Sequence, residues 1–116
     1  MASVDESLYD KAGAIEQLAG DEALFAAIAG VFVAECGGYC TALEAALASG
    51  NLADLRREAH TVKSMLASFA CEGGRALAQE LESLAASGSL NGAPEMTAEL
   101  TSVMKRLAGA LELEAG

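Results

Sequence analysis

Leu55-Arg56-Arg57-Glu58-Ala59-His60-Thr61-Val62-Lys63-Ser64-Met65-Leu66-Ala67-Ser68-Phe69-Ala70 is the stretch from which the rest of the chain can be read. Wound as an α-helix at about 100° per residue, it gathers Leu55, Ala59, Val62, Leu66 and Phe69 into one apolar stripe. His60, the single histidine of the chain, falls roughly 140° from the centre of that stripe and so faces water. Arg56, Lys63, Ser64 and Ala67 share its side of the helix, at the i−4, i+3, i+4 and i+7 positions. The imidazole is thus exposed, flanked by cations and bordered by short side chains that leave room for another protein.

Outward from this helix the same periodicity continues. Ser49-Gly50 ends the preceding segment, and Asn51 is placed to cap the helix over residues 52–70, with Asp54 as a capping-box acid. Before it, Asp21 caps a helix reaching residue 48, with Leu24, Ile28, Val31, Phe32, Tyr39, Leu43 and Leu47 at three- and four-residue spacings. Gly37-Gly38 inside it costs roughly 1 kcal/mol per glycine relative to alanine, so a bend or a close helix contact is expected there. A short leading helix over residues 8–18 turns Leu8, Ile15 and Leu18 inward and stops at Gly20. After the histidine helix, Gly73-Gly74 loosens the start of a segment carrying Leu77, Leu81 and Leu84. Pro94 then suits the first turn of a last helix, with Met96, Leu100, Val103, Leu107 and Leu111 on its inner face. Short loops force neighbouring helices antiparallel. The expected fold is therefore all-α: an up-down four-helix bundle with a short extra N-terminal helix, as one domain over residues 1–116.

Composition narrows the function classes. Hydrophobic residues reach 53% with only 4% aromatics and no tryptophan, so the core is built from alanine and leucine, which suits close-packed helices. A formal net charge of −10 argues against nucleic acid and against an anionic membrane surface as partners. Of seven basic residues, Arg56, Arg57 and Lys63 lie within four positions of His60, a local positive spot on a negative body. Arg57 reads as a solubilising charge, whereas the offset of Lys63 brings its ammonium within reach of the ring. The longest apolar run, residues 23–34, has 12 residues between two glutamates, too few to span a bilayer. The first ten residues lack a signal-peptide pattern, and three cysteines, an odd number, fit a reducing cytoplasm.

Ala59-His60-Thr61-Val62-Lys63, followed by small residues and then Leu77, Leu81 and Glu82, resembles the histidine-containing phosphotransfer (HPt) domain family. The flanking frame is similar too: residues 18–24 open a helix as the family's do, and residues 43–52 match its turn before the histidine helix. The resemblance extends from about Ile15 to about Leu111. It implies that His60 takes a phosphoryl group from a receiver-domain aspartate or a sensor histidine kinase and passes it to another receiver. It also implies attack by Nε2; the candidate to steady the developing phosphoryl charge is Lys63, with Arg56 a weaker one. Glu82 matches a family position that projects toward the histidine from the next helix. Two departures stand out. Ser64 replaces a glycine that lets the receiver backbone come close, and Ala70 replaces the glycine that usually follows the helix's apolar end.

Phosphoryl transfer depends on positioning and charge neutralisation, so a passive carrier needs little beyond an open imidazole. The chain has no Gly-rich phosphate loop and no kinase motif set, so no cofactor of its own is expected; the magnesium ion would sit on the partner receiver. A cytoplasmic monomer without kinase activity is the corresponding expectation. A lone histidine can also be a surface residue with no role, and three further readings compete. A metal site from Cys36, Cys40, Cys71 and His60 lacks the paired knuckles of structural zinc. A kinase dimerisation helix usually has an acid after its histidine and a proline soon after, where this chain has Thr61 and no proline before Pro94. A helical adaptor that docks a signalling partner without phosphotransfer would use the same exposed face.

Overall fold

The stripe on the histidine helix is enclosed as its spacing predicts: Leu55, Ala59, Val62 and Leu66 are fully buried and Phe69 nearly so. The structure, a computed structural model, describes residues 8–115. The helices run α1 Lys11–Gln17, α2 Glu22–Ser49, α3 Leu52–Ser68, α4 Glu72–Ala86 and α5 Ala93–Ala115, and the described residues contain no strand. Helix α2 packs on α3, α3 on α4, α4 on α5 and α5 back on α2, which closes a four-helix bundle, with α1 laid against α2. At about 1.5 Å per residue, the 28 residues of α2 match the 40 Å long axis of the molecule.

Local chemistry sets the boundaries. Asp10, Asp21 and Asn51 each accept from a backbone N–H three residues on, at 3.0, 2.9 and 3.0 Å, so the caps expected at Asp21 and Asn51 are formed. The leading helix is shorter than residues 8–18: it begins only after the Asp10 cap, though Leu8 is buried. Gly50 ends α2 in the left-handed conformation, φ 67°. Ala70 closes the turn after α3 in the same region, φ 52°, without glycine's freedom from a Cβ clash.

Helix α2 corrects the sequence reading. Its buried side is Phe25, Ala29, Phe32, Cys36, Cys40, Leu43 and Ala46, while Leu24 and Val31 are 44% and 57% exposed. Alanine, cysteine and glycine make this helix apolar nearly all round, so periodicity does not select a face. The helix runs unbroken through Gly37 and Gly38, and nothing lies within 4 Å of a Cβ built at either, so they mark no close contact. By length and composition α2 is also long and apolar enough to cross a bilayer, which its 12-residue charge-free run is not. Gly74, rather than loosening the start of α4, lies inside its first turn, where a Cβ would meet Leu66 at 2.9 Å and Val103 at 3.0 Å. It lets α4 approach α3 and α5.

All three phenylalanines meet where α2 joins the end of α3. Phe69 is edge-on to Phe25, centroids 6.1 Å apart, and to Phe32 at 5.4 Å. Such pairs add about 0.5–1.5 kcal/mol each beyond burial. They pin the far end of the histidine helix. In α5 the enclosed residues include Thr97, Leu100, Thr101, Met104, Leu107 and Leu111, while Met96 and Val103 are only half-buried. Because an alanine at positive φ is strained by about 1–2 kcal/mol, Ala70→Gly is expected to stabilise the fold by roughly 0.5–1 kcal/mol after the entropy of the unfolded chain is counted. A urea melt would register this as a higher midpoint with unchanged slope.

Candidate functional site

With the stripe of α3 turned into the bundle, His60 points away from it, its side chain 59% exposed. The ring is nonetheless held. Glu82 reaches across from α4 and places Oε2 3.0 Å from Nδ1. Its other oxygen, Oε1, is shut off from water and lies 2.7 Å from the Lys63 ammonium. One carboxylate therefore bridges the histidine and the lysine of the neighbouring helix. Lys63 also donates to Gln79 Oε1 at 3.0 Å, and Gln79 Nε2 donates to Ser83 Oγ at 3.0 Å. The result is a polar seam along the outer edge of the α3–α4 contact.

Charge decides the tautomer. The Lys63 ammonium, then the His60 ring, hold the Glu82 carboxyl below the usual carboxylate range, against the opposing effect of its partial burial. An ionised carboxylate only accepts, so the proton between the two side chains belongs to Nδ1. In the neutral ring Nε2 then carries the lone pair. Glu82 contributes stability in full above the ordinary glutamate value near 4.3, and that contribution is lost as pH falls through its lowered value.

The other residues singled out from the sequence fall in different places. Arg56 is exposed and pairs with no acid among the described residues. Ser64 turns its hydroxyl back onto the His60 carbonyl at 3.3 Å, and Ser68 repeats this on Ser64 at 3.2 Å. The small side chains of the ridge thus stay low against the helix. Ala67 is half-buried, and its carbonyl accepts from Gln17 of α1 at 3.3 Å, so α1 borders that end of the ridge. Lys63 lies on Glu82 and Gln79 and is linked to the ring through that carboxylate. Arg57 pairs with Asp54 at 2.9 Å, a solvent-facing charge as its position suggested. Gln79 was missed by sequence reasoning; its one signal is that it lies three residues before Glu82, on the same face of α4.

Beyond the ridge lies an apolar groove of about 290 Å³ between α2 and α3, walled by Ile28, Val31, Tyr39 and Met65 and touching Ser68. Ser68 is about two turns from His60 along α3, so the groove opens beside the later part of the histidine helix. The three cysteines are free and buried, and Cys36 donates to the Met104 carbonyl at 3.5 Å. Burial pushes the Cys36 thiol up to about 11 and raises Cys40 and Cys71 as well, which disfavours the thiolate that metals bind. Among the described residues no three His, Cys, Asp or Glu side chains gather as a metal site.

Comparison with known proteins agrees with this arrangement. The model of the Hpt domain family matches residues 27–110. Among solved structures, histidine-containing phosphotransfer protein B (HptB) from Pseudomonas aeruginosa PAO1 superposes with a TM-score of 0.84 at 21% identity, covering 93% of this chain and 94% of that one. No curated protein matches the sequence. The family match spans most of the bundle, including the whole of α3 and α4: the chain belongs to the Hpt domain family, the histidine phosphotransfer proteins of two-component phosphorelays.

Proposed function

We propose that His60 is the phosphoacceptor of a relay intermediate, taking a phosphoryl group from a receiver-domain aspartate or a sensor histidine kinase and delivering it to another receiver domain. One observation carries this reading: the ring of the single histidine is held at Nδ1 by Glu82 while its side chain stays 59% exposed. A nucleophile that must be entered by a second protein has to combine those properties, rigid on one side and open on the other.

In the transfer, the Nε2 lone pair attacks phosphorus in line with the departing carboxylate oxygen. Transition-state charge spreads over the phosphoryl oxygens, so positioning and cations do most of the work. Lys63 steadies that charge from its seat on Glu82 and Gln79, and Arg56 adds a second, more distant cation on the same face. The receiver brings its acidic pocket and magnesium ion; this chain binds no cofactor and has no kinase activity. The groove walled by Val31, Tyr39 and Met65 is the contact surface for that receiver, and the ridge of Ser64, Ser68 and Ala67 keeps the approach low. We further assign the protein to the cytoplasm, as a monomer that engages neither nucleic acid nor membrane.

Incubated with a phosphorylated receiver, the wild-type chain is expected to acquire acid-labile, base-stable label, and His60→Gln to fall to background with receiver binding retained. Equal labelling of both proteins would end the assignment; unaltered signalling by His60→Gln in the cell would favour an adaptor. The tautomer is checked separately by ring-¹⁵N NMR, in which one histidine gives one pair of signals. At alkaline pH the wild type should show Nδ1 protonated and Nε2 bare, and Glu82→Ala should lose that preference.

A further inference from the structure

All the side-chain hydroxyls of α3 fold back on the helix: Thr61 donates to the Arg57 carbonyl at 3.1 Å, Ser64 to the His60 carbonyl at 3.3 Å and Ser68 to the Ser64 carbonyl at 3.2 Å. Of these, only Ser64 lies one turn beyond the imidazole on its own side of the helix. Helical side chains lean toward the N-terminus, so its hydroxymethyl group leans over the turn that carries His60. At 3.3 Å its bond is longer than the roughly 2.5–3.0 Å usual between oxygens, and the carbonyl it uses already belongs to the helix ladder. The hydroxyl is therefore only loosely held.

We infer that the Ser64 hydroxyl turns from the His60 carbonyl to a phosphoryl oxygen once His60 is loaded, and retains the phosphoryl group on the ring until a receiver docks. This rests on the assignment of His60 as phosphoacceptor. Nδ1 is taken by Glu82, which leaves Nε2 for phosphorus. Cβ atoms one turn apart stand about 5–6 Å from each other, so the oxygens of a group on that ring come within reach of Oγ after a single change of χ1. The other donors on this part of α3 are committed or lie on the far side of the ring. Lys63 is 2.7 Å from Glu82 Oε1 and 3.0 Å from Gln79 Oε1, and Arg57 pairs with Asp54. Arg56, one turn before His60, is the remaining cation on this face.

Such a bond favours the loaded carrier over release of its cargo. When the phosphoryl group departs, the N–P bond breaks, its electron pair returns to Nε2, and an oxygen of water or of an acceptor carboxylate bonds to phosphorus. The transition state is loose: the pair has largely left while the new bond is still weak, so the phosphoryl oxygens carry less negative charge than before. A donor on those oxygens is thus stronger in the loaded state than in the transition state, and it raises the barrier. A docked receiver competes for the same oxygens with its own donors, and the hydroxyl then returns to the His60 carbonyl. Glycine, the residue that the family pattern has at this position, offers no such donor.

The test uses the full chain phosphorylated with phosphoramidate, in the absence of any receiver, with loss of the phosphoryl group followed by ³¹P NMR. Ser64→Ala and Ser64→Gly should both lose it about three- to tenfold faster than the wild type, the worth of one charge-assisted hydrogen bond in a solvent-facing site. Ser64→Thr, which keeps the hydroxyl, should match the wild type. The ³¹P shift against pH supplies a second readout that a merely structural role would not move. A donor to the dianion lowers the pH at which the phosphoryl group takes up its proton, so that midpoint should rise in Ser64→Ala and Ser64→Gly and return in Ser64→Thr. The charged groups along this edge, Arg56 and Lys63 from α3 and Glu82 from α4, are the same in all four proteins. Equal rates and midpoints in the wild type and Ser64→Ala would overturn the inference, as would Ser64→Thr behaving like Ser64→Ala. Equal phosphorylation of the wild type and His60→Gln would instead remove the phosphoacceptor assignment, and this inference with it.

Discussion

Burial of one stripe on α3 governs everything functional in this molecule. Leu55, Ala59, Val62 and Leu66 lose all contact with water, and removing a leucine-sized side chain from such a core typically costs about 2–5 kcal/mol. Rotation of α3 about its axis would expose several of these at once, so the helix has a single favourable setting. That setting turns His60 outward and toward the edge shared with α4. The Phe69 contacts with Phe25 and Phe32 resist sliding of the same helix along its axis. The ring is thus placed by apolar residues that never touch it.

The polar seam completes what the core begins. A surface ion pair alone is worth little, but Glu82 is not an ordinary surface acid: one of its oxygens is closed to water and faces only the Lys63 ammonium. Because a buried carboxylate oxygen is costly to leave unpaired, lysine and glutamate fix each other. The histidine bonds to an acceptor that is already immobile. This order of dependence, core then ion pair then imidazole, explains how a ring that is mostly in solvent can still have a defined orientation.

How much of this could be read from the residues varies by helix. The histidine helix was legible because its apolar positions are large, regularly spaced and separated by charges. Asp21, Asn51 and Gly50 were legible because capping chemistry is local. In α2 the large residues Leu24 and Val31 drew the eye to the wrong side, while small Ala29, Cys36 and Cys40 do the packing. Size and hydropathy do not reveal which face a neighbour will cover. Thr101 was invisible as a core residue because its hydroxyl is satisfied within its own helix, by the Ala98 carbonyl at 3.0 Å. Gln79 and the bridge made by Glu82 depend on how α4 is set against α3, a relation between segments that no local pattern encodes.

The link between α1 and the end of α5 has a topological meaning. Lys11 and Glu114 lie 2.8 Å apart at their charged atoms, so the polypeptide enters and leaves the bundle at one place. A unit whose entry and exit coincide can be spliced into a longer polypeptide as a side branch, displacing the host segments on either side very little. The phosphotransfer unit is, in its wiring, portable.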